Sequence, residues 1–137
     1  MFRYIIFVFI FICFAYSNDC RGISDITGYW LSPKDKITGR SSIIKIVKKD
    51  GKYFGYKVLF LDSLPSQNDV NNEKYSLRDR PVIGSVYIYN LERNANNSYI
   101  NGRYYDFNMG KTFHVRLRLE CDKLIFIISV DNIGMLG

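Results

Sequence analysis

A chain of 137 residues with 47% hydrophobic and 23% charged side chains fits one globular domain and excludes a disordered chain. Its 11 tyrosines and 10 phenylalanines lift the aromatic share to 16%, which leans toward pleated, half-buried structure. The formal charge of +6 reads as a mildly basic surface, and the charges do not interleave with an exposed aromatic ladder of the kind that binds nucleic acid.

The first seventeen residues have the pattern of a secretory leader. Met1-Phe2-Arg3-Tyr4 is a short positive start, residues 5–14 are apolar without interruption, and Ala15-Tyr16-Ser17 places small residues where a signal peptidase reads. The apolar run falls well short of the roughly 20 residues a spanning helix needs. Neither Cys13 nor Cys20 follows the small residue that a lipoprotein signal requires. The expectation is export to the periplasm or beyond, with cleavage near Ser17, and a single domain over residues 18–137. In an oxidising compartment Cys20 and Cys121 form an even pair. Two readings stand: a disulfide tying the N-terminus to a late strand, or a frayed Cys20 with a small buried Cys121.

The domain opens at Gly28-Tyr29-Trp30, the entry to a first strand, and Trp30 is the only tryptophan, suited to plugging the core. Residues 42–48 are rich in β-branched side chains and predict a strand. Asp50-Gly51 then predicts a tight hairpin, because both central positions of that turn need positive φ. The return strand covers residues 53–60, with Gly55 marking a bulge or a close backbone approach. Residues 62–79 lack periodicity and read as a long loop, a length that is often functional. Leu77-Arg78-Asp79-Arg80-Pro81-Val82-Ile83-Gly84 closes the loop and is expected to start the next strand at Arg80-Pro81. From there Val82, Gly84, Val86 and Ile88 make one face, and Ile83, Ser85, Tyr87 and Tyr89 the other. Residues 99–106 predict a further strand with a glycine break, and residues 108–111 a hairpin loop. Residues 112–121 alternate cleanly. Phe113, Val115, Leu117, Leu119 and Cys121 share the apolar side, and Thr112, His114, Arg116, Arg118 and Glu120 the polar side. Residues 124–128 are apolar throughout. About seven strands without a convincing amphipathic helix predict an all-β, up-and-down antiparallel meander closed into a small barrel.

The chemistry-bearing inventory is thin. His114, the one histidine, sits on a polar face beside basic neighbours. A metal centre wants several converging His, Cys or carboxylate ligands, so no metal and no cofactor are expected. Neither a nucleophile elbow nor a phosphate loop occurs, and Cys121 and His114 fall on opposite faces. No catalytic residue is assigned, and the chain is not expected to be an enzyme. The remaining polar constellation is Arg78, Asp79 and Arg80 together with Tyr104, Tyr105, Asp106 and Lys111; the candidate ligand-binding residues are Arg78, Arg80, Tyr105, Asp106 and Lys111 of this set, with Trp30 at the domain entry. Arginine forks suit carboxylate or phosphate groups. The competing expectation is structural: Arg78 or Arg80 pairs with Asp106 and latches the loop.

These motifs resemble those of the uncharacterised bacterial exported family DUF2147. Gly28-Tyr29-Trp30 is similar to its G-x-W element. Residues 50–58 are similar to its N-G-K-Y-Y-G-K-I hairpin. Residues 77–84 match the second half of its N-P-D-P-x-L-R-x-R-P-L-x-G segment, and residues 102–113 its G-x-I-Y-D-P-x-x-G-K-T-Y element. The resemblance implies a lipocalin- or streptavidin-like barrel in the bacterial envelope and supplies no activity. This chain departs from the pattern at Asn72-Glu73-Lys74-Tyr75-Ser76, which replaces the proline-bearing half. The family pattern also continues into a last strand with a tryptophan, whereas this chain stops at Leu136-Gly137. The barrel is therefore expected to be incompletely closed, or to use residues 133–137 in part. Two functions follow as expectations. One is a non-catalytic module binding a small apolar or amphipathic ligand; the other is an envelope interaction protein with a packed barrel core.

Overall fold

The computed structural model describes residues 4–13, 25–65 and 67–131, which form eight antiparallel strands and one short 3₁₀ turn. The strands are β1 (Tyr4–Cys13), β2 (Gly28–Leu31), β3 (Ser42–Lys49), β4 (Lys52–Phe60), β5 (Val86–Ala95), β6 (Ser98–Asp106), β7 (Lys111–Glu120) and β8 (Lys123–Asp131). Each pairs with its sequence neighbour, so the up-and-down order read from the sequence holds. Strands β2–β8 alone make a seven-stranded curl open between β2 and β8. Strand β1 lies in that gap and closes the barrel. It runs against β8 from Tyr4↔Asp131 to Ile12↔Lys123 but meets β2 only at Ile12↔Leu31 and Cys13↔Trp30. The sequence reading sets these residues aside as a leader, yet here they supply the closing strand. A closed sheet has no unpaired edge, and an apolar extended segment is a suitable filler for one that would otherwise remain. The expected partial substitution by residues 133–137 lies outside the described residues.

The hairpins follow local chemistry. Asp50 and Gly51 have φ of 53° and 78°, the conformation that the β3–β4 turn demands. At Gly55 the β4–β5 register shifts, and the Ile88 side chain packs over the bare Cα. Strand β7 buries Phe113, Val115, Leu117 and Leu119 and exposes the residues between them. Cys121 leaves that pattern: it is exposed in the β7–β8 turn with φ of 55°. It is disulfide-bonded, and Cys20 lies outside the described residues.

Two expectations about β5 change. The strand begins at Val86, six residues later than Arg80, because residues 80–85 turn instead of extending. Gly84 adopts φ of 88° and donates its N–H to the Lys57 carbonyl, while Val82 donates to the Gln67 carbonyl. The simple two-face split also fails. Tyr87 and Ile88 are both buried while Val86 is exposed, and Asn90 at φ 64° resets the alternation.

Among the described residues, the barrel interior is a packed core. Trp30, Ile44, Ile46, Tyr53, Ile88, Leu91, Tyr99, Val115, Leu117, Leu124, Phe126 and Ile128 are all essentially inaccessible. The Trp30 indole N–H donates to the Ile26 carbonyl at 2.8 Å, so this large side chain is buried without an orphan donor. Tyr53 meets Tyr99 edge to face, with ring centroids 5.0 Å apart. Gly102 lies where Leu91 and Val115 press on the backbone, and an added Cβ would sit 2.6 Å from Leu91 Cδ2. Overpacking of this kind costs about 1–3 kcal/mol. Gly102→Ala is therefore expected to lower unfolding stability by about that amount, measured by denaturant titration; an unchanged midpoint would contradict the tight interior.

Candidate functional site

The loop joining β4 to β5 is ordered by a single buried carboxylate. Asp69 is fully inaccessible. Its Oδ2 accepts from Arg80 Nε at 2.9 Å and from Asn72 Nδ2 at 2.8 Å, and its Oδ1 accepts from the Tyr105 hydroxyl at 2.8 Å. An isolated buried carboxylate is prohibitively costly, so these partners are what permit Asp69 to be there. The three bonds join the start of the loop, its end and the outer face of β6. Asn71 adds a bond from Nδ2 to the Phe107 carbonyl, and Gly110 lets the β6–β7 hairpin come flush against Asn71, where any Cβ would collide with the Asn71 carbonyl. Arg78 Nε donates to the Asn72 carbonyl at 2.8 Å, with its guanidinium over the exposed Tyr75 ring.

Folding the loop over the outer face of β5–β7 leaves an open cleft of about 650 Å³. Arg80, Tyr105 and Lys111 line it together with Asn72, Glu73, Lys74 and Leu77 from the loop side and Val86, Tyr89, Gly110 and Thr112 from the strands and the β6–β7 hairpin, so one carboxylate stands among three cations. Arg80 uses only Nε on Asp69. Among the described residues its two Nη groups have no partner, and neither does the Lys111 ammonium. The guanidinium is held in place by Asp69 and by the Tyr105 ring, whose centroid is 5.4 Å away. The wall therefore presents one fixed guanidinium, and an exposed ammonium from Lys111, next to Leu77 and Val86.

Three of the six residues singled out from the sequence thus converge: Arg80, Tyr105 and Lys111. The other three do not line this cleft. Trp30 is core, Arg78 fixes the loop backbone, and Asp106 faces the barrel mouth, where its Oδ1 caps the β6–β7 turn through the Asn108 and Met109 N–H groups. The expected latch between an arginine and Asp106 is corrected as well: the carboxylate partner of Arg80 is Asp69. Sequence reasoning missed Asp69 and Asn72 because an aperiodic polar loop gives no parity signal for burial. Arg40 and Lys57, which line the mouth beside Asp106, were also missed. For Lys57 a signal existed, since it shares the inward parity of Tyr53 and Gly55. His114 is exposed beside Arg103, at 3.2 Å, as its polar face suggests. Among the described residues no group of three or more His, Cys, Asp or Glu is placed to hold a metal ion, and no helix is long and apolar enough to cross a membrane.

The architecture is that of a small lipocalin-like antiparallel barrel. A solved structure of protein HP1028 from Helicobacter pylori, described as belonging to the lipocalin family, superposes with a TM-score of 0.67 at 20% identity, over 83% of this chain and 88% of that one. Residues 28–132 match the model of the family described as "Uncharacterized protein conserved in bacteria (DUF2147)", and the chain belongs to that family. No curated protein matches the chain.

Burial first, and then the hydrogen bond to the Asp69 carboxylate, push the Tyr105 hydroxyl up to about 12. Burial and the Asp25 carboxylate do the same to Tyr53, whose hydroxyl donates to Asp25 at 2.9 Å. Both folded values lie above the ordinary 10.0, so these bonds stabilise fully below pH 10 and are lost as pH climbs through about 12. Tyrosinate absorbance is expected to show a late-titrating class that vanishes on unfolding. Tyr105→Phe is expected to remove one member of it and about 1.5–3 kcal/mol of stability, the usual worth of a hydrogen bond to a charged group.

Proposed function

We propose that this protein is a non-catalytic binding module for a small amphipathic molecule carrying an anionic group, and that it acts after export. The observation that carries the reading is the pairing, across one cleft, of unpartnered cationic donors with apolar wall. Arg80 Nη1 and Nη2 and the Lys111 ammonium stand beside Leu77 and Val86. A pre-oriented guanidinium suits a carboxylate or phosphate, and the cleft volume is in the usual range for small-molecule sites. The lipocalin-like fold supports a binding role, and the burial of the described inward side chains supports the outer wall over the barrel interior as the place for the ligand. The leader-like residues 1–17 support export to the periplasm or beyond.

Titration of the purified protein with dodecanoate and with dodecanol, read by calorimetry and native mass spectrometry, tests the reading. Dodecanoate is expected to bind, dodecanol to bind several-fold more weakly, and Lys111→Ala to weaken dodecanoate several-fold without moving the melting temperature. Equal affinity for acid and alcohol would overturn the anionic assignment, and no binding of either would overturn the module. The filled interior favours one other reading, an envelope interaction protein that uses the loop surface; capture of one specific envelope partner by a protein that binds neither probe would support it. For export, N-terminal sequencing of the protein recovered outside the cytoplasm is expected to begin near residue 18, which removes β1 and leaves the seven-stranded β2–β8 curl, and a start at Met1 would refute cleavage.

A further inference from the structure

At the open end of the barrel a lysine points inward. Lys57 occupies an inward position of β4, paired with Ile44 on β3, where a well-packed barrel has an apolar side chain. It lies between the rings of Phe60 and Tyr87, 5.7 and 5.3 Å from their centroids. Its one hydrogen bond is a long one, to Ser42 Oγ at 3.3 Å. No carboxylate among the described residues is within ion-pairing distance of Nζ, although Asp35 and Asp106 act on it from farther away. An ammonium has three donors. Here two of them lack a protein acceptor, in a setting where loss of solvent disfavours charge.

Lys57 also borders a hollow. Asp35, Arg40, Phe60, Tyr104, Asp106 and Asn108 are among its walls, and its volume of about 30 Å³ has room for a group the size of one water. Lys57 keeps a partial opening to solvent. The other polar groups differ in how far they are committed. Arg40 is tied by both carboxylate oxygens of Asp62, at 2.8 Å each, and by the Leu64 and Pro65 carbonyls. Asp35 caps the β2–β3 loop through Ile37 and Thr38 and accepts from Asn108. By contrast, the Tyr104 hydroxyl has no hydrogen-bond partner among the described residues, and Asp106 Oδ2 accepts from none. An amine with one long hydrogen bond, a phenol and a carboxylate oxygen, the last two without a partner among the described residues, thus border one small space.

We propose that Lys57 is a nucleophilic amine that captures a small, unbranched carbonyl compound at the barrel mouth. The neutral Nζ adds to the carbonyl carbon and the C–O π bond opens, giving a carbinolamine after proton transfer from nitrogen to oxygen. Loss of one water then leaves a C=N bond to Lys57. Nothing is oxidised or reduced, and hydrolysis reverses the step. Tyr104 and Asp106 are the groups placed to move the protons. The hollow admits the carbonyl head, and the rest of the molecule extends toward solvent. Desolvation, the largest influence on Lys57, lowers its proton affinity; Asp35 and Asp106 oppose that and Arg40 adds to it. Lysines made reactive by burial next to another cationic group are an established way to raise the neutral fraction of an amine. This site is separate from the outer cleft and does not depend on it.

The test is trapping by reduction. The full chain is incubated with glycolaldehyde and cyanoborohydride at neutral pH for a short time, and the modified lysines are mapped by peptide mass spectrometry. Lys57 is expected to be labelled several-fold faster than Lys34 and Lys49, and its excess is expected to shrink as pH rises and the surface amines lose their protons. A branched aldehyde is expected to label the surface lysines and spare Lys57. Lys57→Met, close in volume and without charge, is expected to lose the fast label while melting no lower than the parent. Labelling of Lys57 no faster than the surface lysines in the parent protein would overturn the proposal, and that comparison needs no variant to fold.

Discussion

The carboxylate of Asp69 is the interaction on which the outer half of this molecule depends. It is a charge taken fully out of water, held by a guanidinium, a phenol and an amide from different parts of the chain. Removing any one partner leaves the buried charge less compensated, so the three partners reinforce one another. It converts a long connection, which would otherwise wander over the surface, into a fixed cover for β5–β7. It also orients Arg80. The Nε edge faces Asp69 while the far edge of the fork is left for something else. The same bond therefore sets both the loop's order and the cleft's polarity.

The strands were legible because their signals are local and periodic. Asp50-Gly51 demands its turn, and the alternation from Thr112 to Glu120 leaves one face to bury. Arg80, Tyr105 and Lys111 were legible as a group because their residue types suit anions. What was not legible depends on long-range packing. Asp69 is 36 residues from Tyr105, and nothing in the composition of its loop marks it for burial. The start of β5 was misplaced because Pro81 permits a strand, whereas the Gly84 conformation and its bond to Lys57 impose a turn. Trp30 carries no such ambiguity: its depth in the core and its bond to Ile26 account for it fully as a packing residue.

Among the described residues the inward polar side chains gather toward one rim of the barrel, while the Tyr53–Asp25 bond stands at the other end. Below Lys57 the inward residues are aromatic and aliphatic, and the glycines at 55 and 102 are there to let them close up. Above it stand Ser42, Arg40, Asp35 and Asp106, every one inside the circle of strands or on the loops that crown it. Among the described residues, the inward side chains thus fill a lipocalin-like frame. Its chemistry is displaced to two places, the crown and the outer wall, where backbone strain and buried charge can be compensated by loops.

The seam between β1 and β8 gives the fold a temporal order. Every other strand pair joins neighbours in the chain and can zip as soon as both are made. The last pair joins residues 4–12 to residues 123–131, the greatest sequence separation in the barrel. Closing so long a loop is entropically the most demanding step, and topologies dominated by such pairings fold slowly. While β1 is still attached, closure by this pair needs β8 to exist first; a chain cleaved near residue 18 keeps β2–β8 as an open curl. A segment that reads as an export leader and also serves as the final stave couples the timing of folding to the fate of the N-terminus.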